Sequence, residues 1–144
     1  MRGKADDVRL LTDLLRAEHV AVYGYGTLGG RLDAQTRPAA LTAFDAHRAR
    51  RDTLAARLRD RRVVPPVALA AYDVAVASQD DALALAVRLE EGLGQRWLAL
   101  VGGTRDRDLR TLGVAGLQET AVRAAGWRRR QGRTPPTVAL PGSP

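Results

Sequence analysis

The chain has 144 residues, no cysteine, and 23 basic against 16 acidic residues, which gives a formal net charge of +7. This composition excludes disulfides, thiolate zinc sites and iron–sulfur clusters, and the length predicts one domain over residues 1–144. Because Met1 to Asp7 are polar and no apolar run approaches the roughly 20 residues of a membrane span, we expect a cytoplasmic protein without a membrane partner.

Hydrophobic periodicity predicts an all-α protein whose helices carry apolar stripes at three- and four-residue spacing. The predicted helices span residues 6–29, 38–62, 79–101 and 106–130. Pro38 suits a first helical turn, Pro65 and Pro66 cannot continue a helix, and Ser78 is a good N-cap for the third helix. Residues 134–144 contain four prolines and predict an extended tail that packs on the bundle or on a partner chain.

The segment between the second and third helices predicts the topology. Residues 63–77 can reach about 50 Å when extended, at roughly 3.3 Å per residue. A helix of about 24 residues is only about 36 Å long, so this segment can cross the whole bundle. Ferritin-like folds have one such long crossover. We therefore predict a ferritin-like four-helix bundle with a long crossover between helices 2 and 3.

Polar residues interrupt the apolar stripes near the middle of each helix, where packed helices meet at one level. These are Glu18 in the first helix, His47 in the second, Glu90 in the third and Glu119 in the fourth. A carboxylate buried alone costs several kcal/mol, so it needs a cation, strong donors or a proton. The cation could be a metal ion, or an arginine such as Arg48 or Arg51.

The metal interpretation follows the di-iron carboxylate bundles, in which two helices each give a Glu and the other two each give Glu-x-x-His. Glu18, Glu90 and His47 fill three of these places, but Phe44 and Val122 stand where a glutamate and a histidine are needed. A two-metal site is therefore disfavoured. A mononuclear iron or manganese site remains the alternative, with the ligands Glu18, His47, Glu90 and Glu119.

The distribution of the basic residues argues against a nucleic-acid partner. The two densest clusters lie where helices end, at Arg57, Arg59, Arg61 and Arg62 and at Arg128, Arg129, Arg130 and Arg133. Cations there complement the helix dipole, so we predict solvated helix ends. One Phe, two Trp and three Tyr also leave few aromatic side chains for stacking on bases.

Short motifs recur in a specific order along the chain: Glu18-His19-Val20-Ala21-Val22-Tyr23-Gly24-Tyr25-Gly26, His47-Arg48-Ala49-Arg50-Arg51-Asp52, Ala86-Val87-Arg88-Leu89-Glu90-Glu91 with Trp97, Ala121-Val122-Arg123 with Trp127, and Pro136-Thr137 with Leu140-Pro141-Gly142. Together these motifs resemble a family of ferritin-like domains of high-GC bacteria that is labelled as a domain of unknown function (DUF4439). The resemblance covers Leu10 to Gly142. It implies a ferritin-like four-helix fold, paired as a homodimer, and it implies no reaction. Glu119 lies outside the matching motifs.

The arginine interpretation is favoured because a guanidinium is always charged and can hold a carboxylate with two hydrogen bonds. We predict a metal-independent polar core that fixes helix register, with no cofactor and no assigned catalytic residue. A cavity beside this core would bind a small molecule, with Tyr23 and Tyr25 as walls. The alternative is a metal-dependent oxidoreductase at the same place. The residues predicted for the network are Glu18, His47, Arg48, Arg51, Glu90 and Tyr25.

Overall fold

The computed structural model describes residues 2–144, with side chains from Gly3 onward, so Met1 of the predicted domain lies outside the described residues. It confirms an all-helical bundle. The helices are α1 (Arg2–Leu28), α2 (Arg37–Asp60), α3 (Gln79–Gly103) and α4 (Arg107–Arg130), and a 3₁₀ turn (Gly29–Arg31) follows α1. Among the described residues, no helix is both long and apolar enough to traverse a bilayer.

Local chemistry sets the helix ends. The Ser78 side chain accepts a hydrogen bond from the backbone N–H of Asp81, and Asp106 caps α4 in the same way. At the end of α2, Arg62 adopts a left-handed backbone with φ 61°. The helix therefore stops at Asp60, two residues before the predicted end, while α1 begins four residues before the predicted Asp6.

The helices form two antiparallel pairs joined by the long connection. α1 packs against α2 and α3, and α3 packs against α4. Arg61 donates to Asp106 at one end of the bundle (3.0 Å), while the Gln79 side chain accepts from the backbone N–H of Asp33 at the other (2.8 Å). The segment between α2 and α3 therefore runs the full length of the bundle, as the long crossover of ferritin-like folds does.

The crossover lies along α1. The Nε2 atom of His19 is 3.0 Å from the carbonyl oxygen of Pro66, and the rings of Tyr23 and Tyr72 meet edge to face at 5.5 Å. Tyr23 therefore faces the crossover. His19 lies one residue away from the apolar stripe of α1, and its contact with Pro66 gives this histidine a hydrogen-bond partner in the crossover.

Two apolar clusters fill the bundle on either side of its middle. One contains Leu11, Leu54 and Trp97, and the other contains Leu28 and Trp127. Burying large side chains of this kind contributes about 1.5–3 kcal/mol each. Between the two clusters, the buried residue of α2 is His47 and that of α3 is Glu90, and Glu18 of α1 is buried as well. The bundle therefore has a polar layer at mid-height.

The C-terminal tail packs on α3 and α4. Gly142 has φ 84°, a conformation that side chains rarely adopt, and a Cβ there would lie 2.7 Å from the carbonyl oxygen of Gly94. Glycine is thus required twice at this position, by its backbone angle and by close approach. Since Arg128 also donates to the carbonyl oxygen of Pro136 at 3.3 Å, the tail is held at two points.

Candidate functional site

A fully buried histidine bridges two glutamates in the polar layer. His47 Nδ1 lies 2.7 Å from Glu18 Oε2, and its Nε2 lies 2.8 Å from Glu90 Oε1. All three side chains have exposures of 0–1%. Because both ring nitrogens face carboxylates, the arrangement suits an imidazolium that donates twice.

Glu90 is the hub of this layer. Its Oε1 atom accepts from Tyr25 (2.6 Å) and Arg123 (3.1 Å) in addition to His47. Trp127 in turn donates to the hydroxyl oxygen of Tyr25 at 2.8 Å, and the Tyr25 ring stacks on the imidazole at 5.2 Å. The network therefore joins all four helices through charge-assisted hydrogen bonds.

The pKa values of the network follow from burial and charge. Burial alone would lower the pKa of His47, but its hydrogen bonds to Glu18 and Glu90 outweigh burial and raise this pKa to about 9. For Glu90, burial would raise the pKa, but the hydrogen bond and charge of His47, with the charge of Arg123, lower it. Burial raises the pKa of Glu18 and also that of Tyr25, whose hydroxyl therefore keeps its proton as a donor.

The arginines predicted to neutralise the core are elsewhere, and that prediction is wrong. Arg48 is half exposed, 3.9 Å from Asp45 and above the ring of Phe44. Arg51 forms an ion pair with Asp52 at 2.8 Å. The positive charges that meet the carboxylates come from His47 itself and from Arg123 of α4.

Arg123 and Trp127 are the network members that the sequence interpretation left out. The two residues are four apart on α4, which places them on one face of the helix, and both belong to the motifs shared with the family. This spacing was the sequence signal that could have identified them. Glu119, by contrast, accepts from Arg50 of α2 (Nε to Oε2, 3.0 Å) and its side chain is 43% exposed. It takes no part in the network.

The donor set does not fit a metal ion. Among the described residues, no group of three or more histidine and carboxylate side chains is arranged to hold one. Both nitrogens of His47 point at carboxylate oxygens at hydrogen-bond distance. While both nitrogens carry a proton, the ring has no lone pair to offer a metal ion. Arg123 adds a fixed cation at Glu90, which would repel a metal ion.

A cavity of about 330 Å³ lies beside Glu90, between α3, α4 and the tail. Glu90 uses only Oε1 within the network, while its Oε2 atom is buried without a hydrogen-bond partner among the described residues. Glu90 thus joins the polar layer to the cavity. Tyr25 belongs to the network but does not line this cavity, and Tyr23 does not line it either.

Arg128 forms a second buried polar group on the cavity wall. It is only 4% exposed, which contradicts the prediction of a solvated helix end. Its Nη2 atom donates to Glu91 Oε1 at 2.5 Å. Its Nε atom is buried and has no partner among the described residues.

Together these features define a four-helix bundle with one long crossover and a buried His–Glu–Arg network that lies beside a small cavity. The chain belongs to the family described as "Domain of unknown function (DUF4439)", whose model matches residues 11–144. This match confirms the family that the sequence motifs predicted. No curated protein matches the chain.

A solved structure similar to this chain is that of a conserved hypothetical protein, rv2844, from Mycobacterium tuberculosis. The two sequences are 34% identical and the TM-score is 0.85. The similarity covers 88% of this chain and 97% of the other chain. The bundle is therefore shared with that protein over nearly its whole length.

The raised pKa of His47 predicts a specific loss of stability at alkaline pH. The folded chain binds this proton more tightly than the unfolded chain, whose pKa is near 6.5. The stabilisation is therefore complete below about pH 6.5 and is lost as the pH rises to about 9, by on the order of 3 kcal/mol. Urea unfolding of the wild type and of His47→Gln across this pH range measures the loss. The free energy of unfolding of the variant should fall less with rising pH, because the variant lacks the titrating ring.

The chain offers a matched control, since His19 is its only other histidine. His19→Gln should keep the wild-type pH dependence, because His19 contacts the crossover instead of the network. An NMR titration in which the His47 ring loses its proton near pH 6.5 would contradict the imidazolium assignment.

Proposed function

We propose that this chain is a cytoplasmic, homodimeric, metal-independent binding protein that holds a small molecule in the cavity beside Glu90. The observation that carries the proposal is the cavity itself, whose wall includes Glu90, a buried member of the polar network whose Oε2 atom has no partner among the described residues. A buried acceptor left unsatisfied costs about 1–3 kcal/mol. A ligand that donates a hydrogen bond to this atom would remove that cost.

The cavity has the dimensions and chemistry of a small-ligand site. Such sites measure roughly 300–1,000 Å³ and combine apolar walls with a few polar groups. Here the volume is about 330 Å³, and Leu117, Ala121 and Val138 contribute apolar wall. The polar network behind Glu90 holds the carboxylate in place before any ligand arrives, which reduces the cost of binding.

Binding at this cavity is testable by NMR with a chemically diverse set of small fragments. We expect fragments to shift the backbone amide signals of Gly94, Thr120 and Ala121, which line the cavity. Ala121→Trp should abolish these shifts, because the indole would occupy the space.

Val114→Trp is the matched control, since Val114 lies on the same helix but outside this cavity and is 41% exposed. This variant should bind the fragments as the wild type does. The binding proposal fails if no fragment shifts the cavity signals, or if the shifts survive in Ala121→Trp.

Metal independence is tested by elemental analysis of protein purified without chelators and then incubated with iron or manganese. We expect less than stoichiometric metal, because His47 and Arg123 already supply positive charge to the carboxylates. Stoichiometric metal that disappears in both Glu18→Ala and His47→Ala would instead favour the oxidoreductase alternative. The same metal content in Glu119→Ala would show that Glu119 is no ligand.

The homodimer is supported by the family resemblance and by large aliphatic side chains at the surface of the single chain. Val67 of the crossover is 83% exposed and Leu140 of the tail is 72% exposed, and either side chain would lose unfavourable contact with water in an association surface.

Sedimentation equilibrium should give twice the chain mass of 15.5 kDa. We expect Leu140→Asp to weaken the dimer, whereas Ser143→Asp in the same tail should not. A monomer at every concentration tested would contradict the proposal.

A further inference from the structure

We infer that the C-terminal tail, residues 134–144, is a strap whose closure is coupled to occupation of the cavity. This inference rests on the proposed binding function and adds how the site is closed. Part of the cavity wall comes from the tail, namely Thr137, Val138, Pro141 and Gly142. The other lining residues belong to α3 and α4, so the site is complete only with the tail in place.

The tail is attached to the helices at both ends of this wall. At the near end, Arg128 Nη1 donates to the carbonyl oxygen of Pro136 at 3.3 Å, and Glu91 accepts from Arg128 Nη2 at 2.5 Å. At the far end, Gly142 packs closely on α3, where a Cβ added to Gly94 would lie 3.6 Å from the Gly142 Cα atom. The segment between these two points forms the outer side of the cavity.

Between its two attachment points, the tail is held weakly. Among the described residues, no backbone hydrogen bond joins residues 134–144 to a helix, and the bond from Ser143 to the carbonyl oxygen of Leu140 (3.2 Å) stays within the tail. Val138 is 46% exposed and Leu140 is 72% exposed. Segments with few buried apolar contacts and few hydrogen bonds open locally at a low free-energy cost. The tail can therefore open while the four helices stay packed.

A molecule in the cavity would be coupled to this opening because it contacts both walls. With the tail closed, the molecule lies between the helices and residues 137–142. With the tail open, it keeps only its contacts with α3 and α4. It therefore binds the closed state more tightly and shifts the tail toward that state. The coupling is reciprocal, so a change that loosens the tail weakens binding.

Gly142→Ala tests this coupling at the far attachment point. Gly142 has φ 84°, and the new Cβ would lie 2.7 Å from the carbonyl oxygen of Gly94. We expect subtilisin to cleave the variant within residues 137–141 at least about tenfold faster than the wild type, because cleavage follows the population of the open state. Mass spectrometry of the early products locates each cleavage and gives its rate.

Gly132→Ala is the matched control. Gly132 also has a positive φ, 77°, but a Cβ there would meet no atom within 4 Å. This variant therefore introduces the same unfavourable backbone conformation without a clash, at a position that precedes the tail. Its tail should be cleaved at a rate close to that of the wild type.

The probes for the coupling are the fragments that shift the amide signals of Thr120 and Ala121 in the binding test. At saturation they should slow the cleavage of the wild-type tail, a measurement that does not depend on any variant. Their dissociation constants should rise at least about tenfold in Gly142→Ala. The same constants should stay near the wild-type values in Gly132→Ala.

The outcomes separate the strap from the function on which it rests. Fragments that bind Gly142→Ala as tightly as the wild type, or that leave the cleavage of the wild-type tail unchanged, overturn the coupling, while the binding function stands. Equal cleavage of Gly142→Ala and the wild type overturns the attachment at Gly142 and the inference with it. If no fragment shifts the cavity signals, the binding function and the coupling both fail.

Discussion

The imidazolium of His47, held between the carboxylates of Glu18 and Glu90, is the interaction on which the middle of the bundle depends. Removing such charges from water costs several kcal/mol per ion, and only good geometry and further hydrogen bonds compensate for it. Tyr25 and Arg123 supply those bonds to Glu90. A shift of one helix by one turn would leave a buried charge unpaired, so the layer specifies helix register more than it adds net stability.

The same carboxylate serves structure and proposed binding through different atoms. Glu90 Oε1 is saturated by His47, Tyr25 and Arg123, whereas Oε2 is buried without a partner among the described residues, on a side chain that lines the cavity. The hydrogen bonds to Oε1 therefore also fix the position of Oε2, the second oxygen of the same carboxylate, and no separate element is needed to position it. Arg128, which also lines the cavity, is held in a comparable way by Glu91 and by the tail.

Sequence predicted the four helices and the crossover because proline breaks, caps and the length of the connection are local features. It also singled out Glu18, His47, Glu90 and Tyr25, since stripe periodicity identifies a helix face. It failed with Arg48 and Arg51 because a stripe does not say which side chain turns inward, and a long guanidinium can reach a surface acid instead. The tertiary contacts of Arg123 and Arg128 depend on how α4 is rotated against α3, which periodicity does not define.

The charged groups of the polar layer alternate between acid and base along the chain, in the order Glu18, His47, Glu90 and Arg123. The first antiparallel pair carries the acid Glu18 with the base His47, and the second carries the acid Glu90 with the base Arg123. Each antiparallel pair thus contributes one acid and one base, and His47 links the two pairs through its second hydrogen bond, to Glu90. The two pairs therefore meet through groups of opposite charge, and neither pair brings a net charge from these four residues into the interior of the bundle.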